Sequence, residues 1–227
     1  MEGPRLGYLN RLPRFEYVEP KTVKEVCGLI ATYGDKSKVL AGGTDLLVLM
    51  KKREITPRYV INLKTLADLD YITYEQGKGL RIGALATLSE IERSATVREH
   101  FPLVAEAARQ TGPSHIRHIG TMVGNICNAD AAADSAPTLI AMGAKVKGES
   151  LRGIRVISIE EFIVDSGKTA LKSDEIVTEI QVPDPPPNTC GAFIKLPERT
   201  VVDIAVVSTA VVVTTDAQRA SITDVRI

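Results

Sequence analysis

Two glycine-rich turns, roughly eighty residues apart, hold the residue types best suited to gripping a ligand: Leu40-Ala41-Gly42-Gly43-Thr44-Asp45 and Gly120-Thr121-Met122-Val123-Gly124-Asn125. Glycine lets a ligand come against bare backbone and tolerates φ > 0. Consecutive N–H groups in such turns form a concavity that holds a pyrophosphate without a lysine. Two of them in one chain point to a large phosphate-containing ligand held from both sides. Thr44, Thr121 and Asn125 add hydroxyl and amide groups, and Asp134 follows the second turn as an acceptor for sugar hydroxyls.

Other chemistries fit less well. Gly167-Lys168-Thr169 ends like a kinase-type phosphate loop, but the first glycine of that motif is Phe162 here. Neither turn reads GxGxxG, so a Rossmann nicotinamide site is not supported. His115, His118 and Cys127 offer three metal ligands with no fourth at a recognised spacing, so no metal site is expected. Cys127 as a nucleophile needs a base that the sequence does not identify, and a small buried apolar cysteine is the simpler expectation. No acid/base dyad stands out, and no catalytic side chain is assigned.

The elements that position these turns follow from local pattern. Thr22-Val23-Lys24-Glu25 reads as a capping box opening a helix that Gly34 ends. Lys38–Leu40 is a short buried strand. The first turn comes next, with Thr44 or Asp45 capping a helix over Leu46–Lys52, and then a β-rich run at Tyr59–Leu63. That β-α-β unit puts the turn at the carboxyl end of its first strand, where open α/β sheets bind ligands. Leu80–Gly83 is a strand, Thr87–Glu90 a second capping box, and Pro102 starts a helix through Gln110. Thr111–Ala133 shows little periodicity and is expected to be a long functional loop. A helix from Asp134 or Ser135 to Met142 follows, then strands at Ala144–Lys147, Arg155–Ile159 and Ile176–Val182. Pro183–Asn188 is a semi-rigid connector. Beyond it Gly191–Leu196, Ile204–Thr214 and Ala220–Ile227 read as strands, the last running off the end of the sequence.

The totals narrow the partners. The 227 residues carry 28 basic and 28 acidic side chains, so nothing suggests nucleic-acid binding. Lys51-Lys52-Arg53 reads as a solvated helix end. The start, Met1-Glu2-Gly3-Pro4-Arg5, lacks a signal-peptide profile, and the longest apolar run, Val201–Val213, is interrupted by Asp203 and too short to span a bilayer. Three scattered cysteines, Cys27, Cys127 and Cys190, fit a reducing compartment, and a cytoplasmic location is expected.

Taken together, Ala41–Leu46, Ile82-Gly83-Ala84 with Thr87, and Ile116–Asn125 resemble, in order and spacing, the FAD-binding subunit of molybdenum hydroxylases. That family includes the medium subunit of carbon monoxide dehydrogenase and the flavin domain of xanthine dehydrogenase. Asp130-Ala131-Ala132-Ala133-Asp134 is similar to its "SPAAD" element, and Phe193-Ile194-Lys195 through Arg199 to Asp203 to its "F-x-K…R…D" element. The resemblance implies an α+β fold of the PCMH type. Residues 1–183 would form two FAD-binding subdomains, about 1–60 and 61–183, and 184–227 a shortened C-terminal domain. It implies that Ala41, Gly42, Gly43, Thr44, Asp45, Thr121, Gly124 and Asn125 hold the FAD pyrophosphate and its neighbours. Asp134 would bond the sugar or ribityl part, and Lys195 would sit near the flavin ring.

The implied activity is that of an oxidoreductase subunit. Its partners would be a molybdenum-cofactor large subunit, a [2Fe-2S] small subunit and an external electron acceptor such as NAD, a quinone or ferredoxin. Two departures matter. Val123 stands where the family has the first glycine of T-x-G-G-N, which is costly if that position needs φ > 0. The C-terminal domain is short, so exposed apolar surface should favour self-association, to be checked by sedimentation. Alternatives are a self-sufficient flavin-dependent oxidoreductase of the same fold, or a non-enzymatic subunit whose flavin site has decayed.

Overall fold

The protein is described by a computed structural model that covers residues 11–198 and 204–227. Its N-terminal part is a parallel unit. Strand β1 (Glu16–Val18) leads to helix α1 (Val23–Tyr33), β2 (Ser37–Leu40), α2 (Leu46–Lys52) and β3 (Tyr59–Asn62), and the sheet order is β1-β3-β2. Both pairings are parallel, so the expected β-α-β unit is present with the first glycine turn at the end of β2. Thr22 caps α1 by accepting from the Glu25 N–H at 3.1 Å. The Glu25 carboxylate reaches back to the Lys21 N–H instead of that of Thr22. Gly34, at φ 52°, ends the helix. At α2 neither Thr44 nor Asp45 caps through its side chain. Asp45 already has helical backbone, and the helix is entered by a turn in which Leu47 N–H donates to the Gly43 carbonyl.

The middle of the chain is an antiparallel sheet with helices. In order come β4 (Ile72–Glu75), β5 (Gly79–Gly83), α3 (Leu88–Arg93), α4 (Ala95–His100), α5 (Pro102–Gln110), α6 (Ser114–Arg117), α7 (Met122–Asn128) and α8 (Ser135–Ala141). They are followed by β6 (Lys145–Ser150), β7 (Gly153–Ser158), α9 (Ile159–Phe162), β8 (Ile163–Asp165), β9 (Lys168–Thr169) and β10 (Ile176–Val182). The five-stranded order is β4-β5-β10-β6-β7, with β8 and β9 as a separate ribbon. The capping box at Thr87 is complete, Thr87 Oγ1 accepting from Glu90 N–H and Glu90 from Thr87 N–H. The segment Thr111–Ala133 is not a long loop but holds α6 and α7. Both helices are too short to show a period in sequence, four and seven residues.

One continuous core joins these two units. It runs from Val26 and Ile61 through Leu80, Ile82, Ile91, Phe101 and Val104 to Ile126, Phe162 and Ile180. Burying a side chain of this size contributes about 1.5–3 kcal/mol. Within the sheet Glu179 is fully buried and accepts from Tyr71 Oη at 2.5 Å and from Arg81 at 2.6 Å. Burial alone would push its carboxyl up, but the Tyr71, Arg81 and Gln181 hydrogen bonds bring it below the usual range. The unfolded chain, with a carboxyl near pH 4.3, therefore takes up the proton first. The stabilisation is complete above that pH and is lost as pH falls through the lower folded value. Thermal melts from pH 7 to pH 3 should show the wild type losing more stability than Glu179→Gln. At neutral pH that variant should be about 1–3 kcal/mol less stable than the wild type.

The last three strands, β11 (Thr189–Pro197), β12 (Ala205–Thr215) and β13 (Ile222–Arg226), form an antiparallel sheet in that order. Its inner face places Phe193 and Ala210 against Leu103 of α5 and Ala141 of α8. Its outer face exposes Ile194, Leu196, Val207 and Val225. No helix among the described residues is long and apolar enough to cross a membrane.

Candidate functional site

Both glycine turns line one cleft of about 630 Å³, between the parallel unit and the antiparallel one. That lies within the range of roughly 300–1,000 Å³ usual for small-molecule and cofactor sites. Gly42 is required by contact and not by conformation. A Cβ there would lie 2.3 Å from the Ile119 carbonyl oxygen and 2.9 Å from Gly120 Cα, so the two turns touch backbone to backbone. Gly43, at φ +86°, supplies the left-handed bend. Among the described residues the N–H groups of Gly42, Gly43, Thr44 and Asp45 have no protein acceptor. Burial pushes the Asp45 carboxyl up, Thr44 pulls it down through its hydroxyl, and Asp130 raises it again.

The opposite wall is set by α3, α6 and α7. Leu88 N–H donates to the Gly120 carbonyl, fixing the second turn to α3. Thr121 caps α7 by accepting from Gly124 N–H at 3.0 Å. A Cβ on Gly124 would come within 2.8 Å of that hydroxyl. Asn125 accepts from the Ser135 hydroxyl at 2.5 Å through Oδ1, which leaves its amide N–H groups without a protein acceptor among the described residues. Val123 lies inside α7, is buried and does not have positive φ, so the expected backbone cost is absent. Its side chain is part of the core. Val123→Gly should therefore leave FAD binding no tighter and cost about 2–4 kcal/mol in a thermal melt, from a lost buried side chain and a helical glycine.

Asp134 lines the cleft, but Lys195 does not. Lys195 stands behind Asp134, its Nζ 2.7 Å from Asp134 Oδ2 and 3.0 Å from the Gln110 carbonyl. Their side chains are 1% and 8% exposed. Lys195, expected near a flavin ring, is paired with a buried carboxylate of the cleft wall. Desolvation raises the Asp134 carboxyl, and the hydrogen bond and charge of Lys195 oppose it without cancelling it. Asp134 Oδ1 and Thr138 Oγ1 are buried without a hydrogen-bond partner among the described residues. Arg199 and Asp203 lie outside the described residues.

Several wall residues escape sequence reasoning. Thr111 and Gly112 form a turn at the end of α5, with Gly112 at φ +60°, and both line the cleft. Glu175, held by Arg155 at 2.6 Å, lines it as well. A helix end followed by glycine was the available signal for the first pair; Glu175 had none. Cys127 lines the cleft, and burial pushes its thiol up to about 12, which keeps it a neutral thiol. His118 Nδ1 lies 2.6 Å from the Ser114 carbonyl and Nε2 3.4 Å from Arg93.

A family profile described as "FAD binding domain in molybdopterin dehydrogenase" matches residues 13–185. The chain belongs to this family. It is 35% identical over 206 residues to the nicotinate dehydrogenase FAD-subunit of Eubacterium barkeri, covering 89% of this chain and 69% of the relative. Identity to the xanthine dehydrogenase FAD-binding subunit of Escherichia coli O157:H7 is 32%, covering 86% of this chain and 66% of the relative. Among solved structures, carbon monoxide dehydrogenase from Hydrogenophaga pseudoflava lacking the Mo-pyranopterin moiety superposes with a TM-score of 0.90 at 32% identity. That match covers 95% of this chain and 74% of the other. The chain thus spans about two thirds to three quarters of the length of these relatives.

As a member of the molybdopterin dehydrogenase FAD-binding family, the chain is an oxidoreductase flavoprotein component whose cofactor is FAD. The cleft fits that group. It offers free backbone donors for a pyrophosphate, an amide donor at Asn125 and an orphaned buried carboxylate oxygen for a hydroxyl.

Proposed function

We propose that the chain is the FAD-holding, electron-transferring subunit of a molybdenum hydroxylase. It would work between a [2Fe-2S] subunit, itself fed by a molybdenum-cofactor subunit, and an external acceptor such as NAD, a quinone or ferredoxin. FAD, when bound, supplies the ability to take electrons singly and give them up as a pair. The chain's residues bind and orient it. Gly42, Gly43, Thr44 and Asp45 present N–H groups to the pyrophosphate, with Ala41 and Gly124 leaving room for it. Thr121 and Asn125 lie on the facing wall, and Asp134 accepts a sugar or ribityl hydroxyl. A pyrophosphate bound this way is held by backbone dipoles, which suits a cleft whose wall carries Asp45, Asp130, Asp134 and Glu175.

The observation that carries this reading is the backbone contact of two glycine turns, the first of which has N–H donors at Gly42–Asp45 with no protein acceptor among the described residues, inside a chain of this family. The three larger sheets support a division at about residues 60 and 183, with 184–227 as the C-terminal part. A cytoplasmic location is proposed with it. The test is co-expression with candidate molybdenum and [2Fe-2S] subunits. Flavin bleached by the molybdenum-site substrate only in the assembled complex supports the reading. Substrate turnover by the isolated chain would favour a self-sufficient flavoenzyme. The decayed-site alternative loses its main argument once Val123 is helical.

A further inference from the structure

The ion pair between Lys195 and Asp134 is a poor stabilising device. Desolvating two charges costs as much as their attraction returns, and such pairs are often replaceable by apolar residues without loss. Its placement suggests another use. Lys195 belongs to β11, on the inner face that also carries Phe193. Its ammonium binds Asp134, the first residue before α8, and the carbonyl of Gln110, the last residue of α5. Both partners lead directly into the cleft wall: Asp134 lines it, and Thr111 and Gly112 follow Gln110. Asp134 makes no side-chain capping bond at α8, and its second oxygen has no protein partner among the described residues.

We propose that Lys195 is a positioning residue that makes FAD binding and the docking of the β11–β13 sheet one linked equilibrium. By holding Oδ2 of Asp134 it leaves Oδ1 fixed for the cofactor, and by holding Gln110 it sets the Thr111-Gly112 turn. Linkage is reciprocal: if the docked sheet strengthens FAD binding, bound FAD strengthens docking by the same factor. The inference rests on FAD lying in the cleft against Asp134, as proposed above.

Two measurements on the full chain test it. In the first, FAD is titrated into wild type, Lys195→Met, Asp134→Asn and the double variant, followed by flavin fluorescence. Each single change should raise the Kd about 30-fold or more. The double variant should be little worse than either single, because the two side chains act as a unit. Lys195 is the charged group acting on Asp134 among the described residues; α5 contributes only the Gln110 carbonyl, and Asp130 acts on Asp45. Without Lys195 the Asp134 carboxyl rises further, so the pH below which FAD affinity falls should move upward in Lys195→Met. A residue that only supported the fold would leave that midpoint in place.

The second measurement needs no variant. Hydrogen exchange of wild-type β11 and β12 should slow when FAD is added. Should Lys195→Met fail to fold, Lys195→Gln replaces it in the titration. Wild type binding one FAD while the variants keep its Kd and pH midpoint, or while β11 and β12 gain no protection, overturns the positioning role and leaves the FAD site standing. Wild type binding no FAD overturns both.

Discussion

A Gly42→Val chain is expected to lose FAD affinity by at least about a hundredfold, roughly 2.7 kcal/mol. It should also melt earlier than the wild type. The reason is geometric. The added Cβ meets the Ile119 carbonyl and Gly120 Cα, which are backbone atoms and cannot rotate away. Relief requires the two turns to part, and parting them opens the pyrophosphate cradle. Overpacking of this kind costs about 1–3 kcal/mol in stability. Gly28 of α1 is the control, since a Cβ there meets nothing within 4 Å. Gly28→Ala should stabilise by about 0.5–1 kcal/mol through helix propensity and leave FAD binding unchanged. Titration and melting of both variants would show it. A Gly42→Val chain that binds FAD like the wild type would mean that the contact between the turns does not shape the site.

The second large effect separates stability from binding. Asp134→Leu alone leaves an ammonium that is 1% exposed without its carboxylate, a change expected to cost about 3–5 kcal/mol. Adding Lys195→Met removes the stranded charge. The Asp134→Leu/Lys195→Met chain should recover to within about 1 kcal/mol of the wild type, or exceed it. It should nevertheless fail to retain FAD, because the unpartnered carboxylate oxygen is gone. Melts and flavin retention on the same preparations decide this. A double variant that is stable and still loaded with FAD would show that Asp134 is a structural residue.

Much of this architecture is visible in the residues. The β-α-β unit was legible because its glycine turn, short apolar strands and lysine-ended helix each carry a local signal. The helix Pro102–Gln110 and strand Ile176–Val182 have the bounds their patterns suggest. What escaped was tertiary in origin. Strand β1 is three residues long and exists by pairing with β3. Helices α6 and α7 are shorter than the window in which a helical period can be seen. Lys195 was readable as a cation, but its partner is 61 positions away in sequence, and only the packing of β11 on α5 and α8 brings them together. Gly42 is recognisable in sequence as bare backbone in a turn, while its contact with Ile119 exists only where the fold brings the two turns side by side.

The most direct test of the central claim is an absorption spectrum of the purified chain, before and after adding FAD and removing the excess by gel filtration. The cleft described here predicts flavin bands retained at one FAD per chain. A colourless protein that remains colourless after reconstitution would contradict the assignment of the two glycine turns as its cradle.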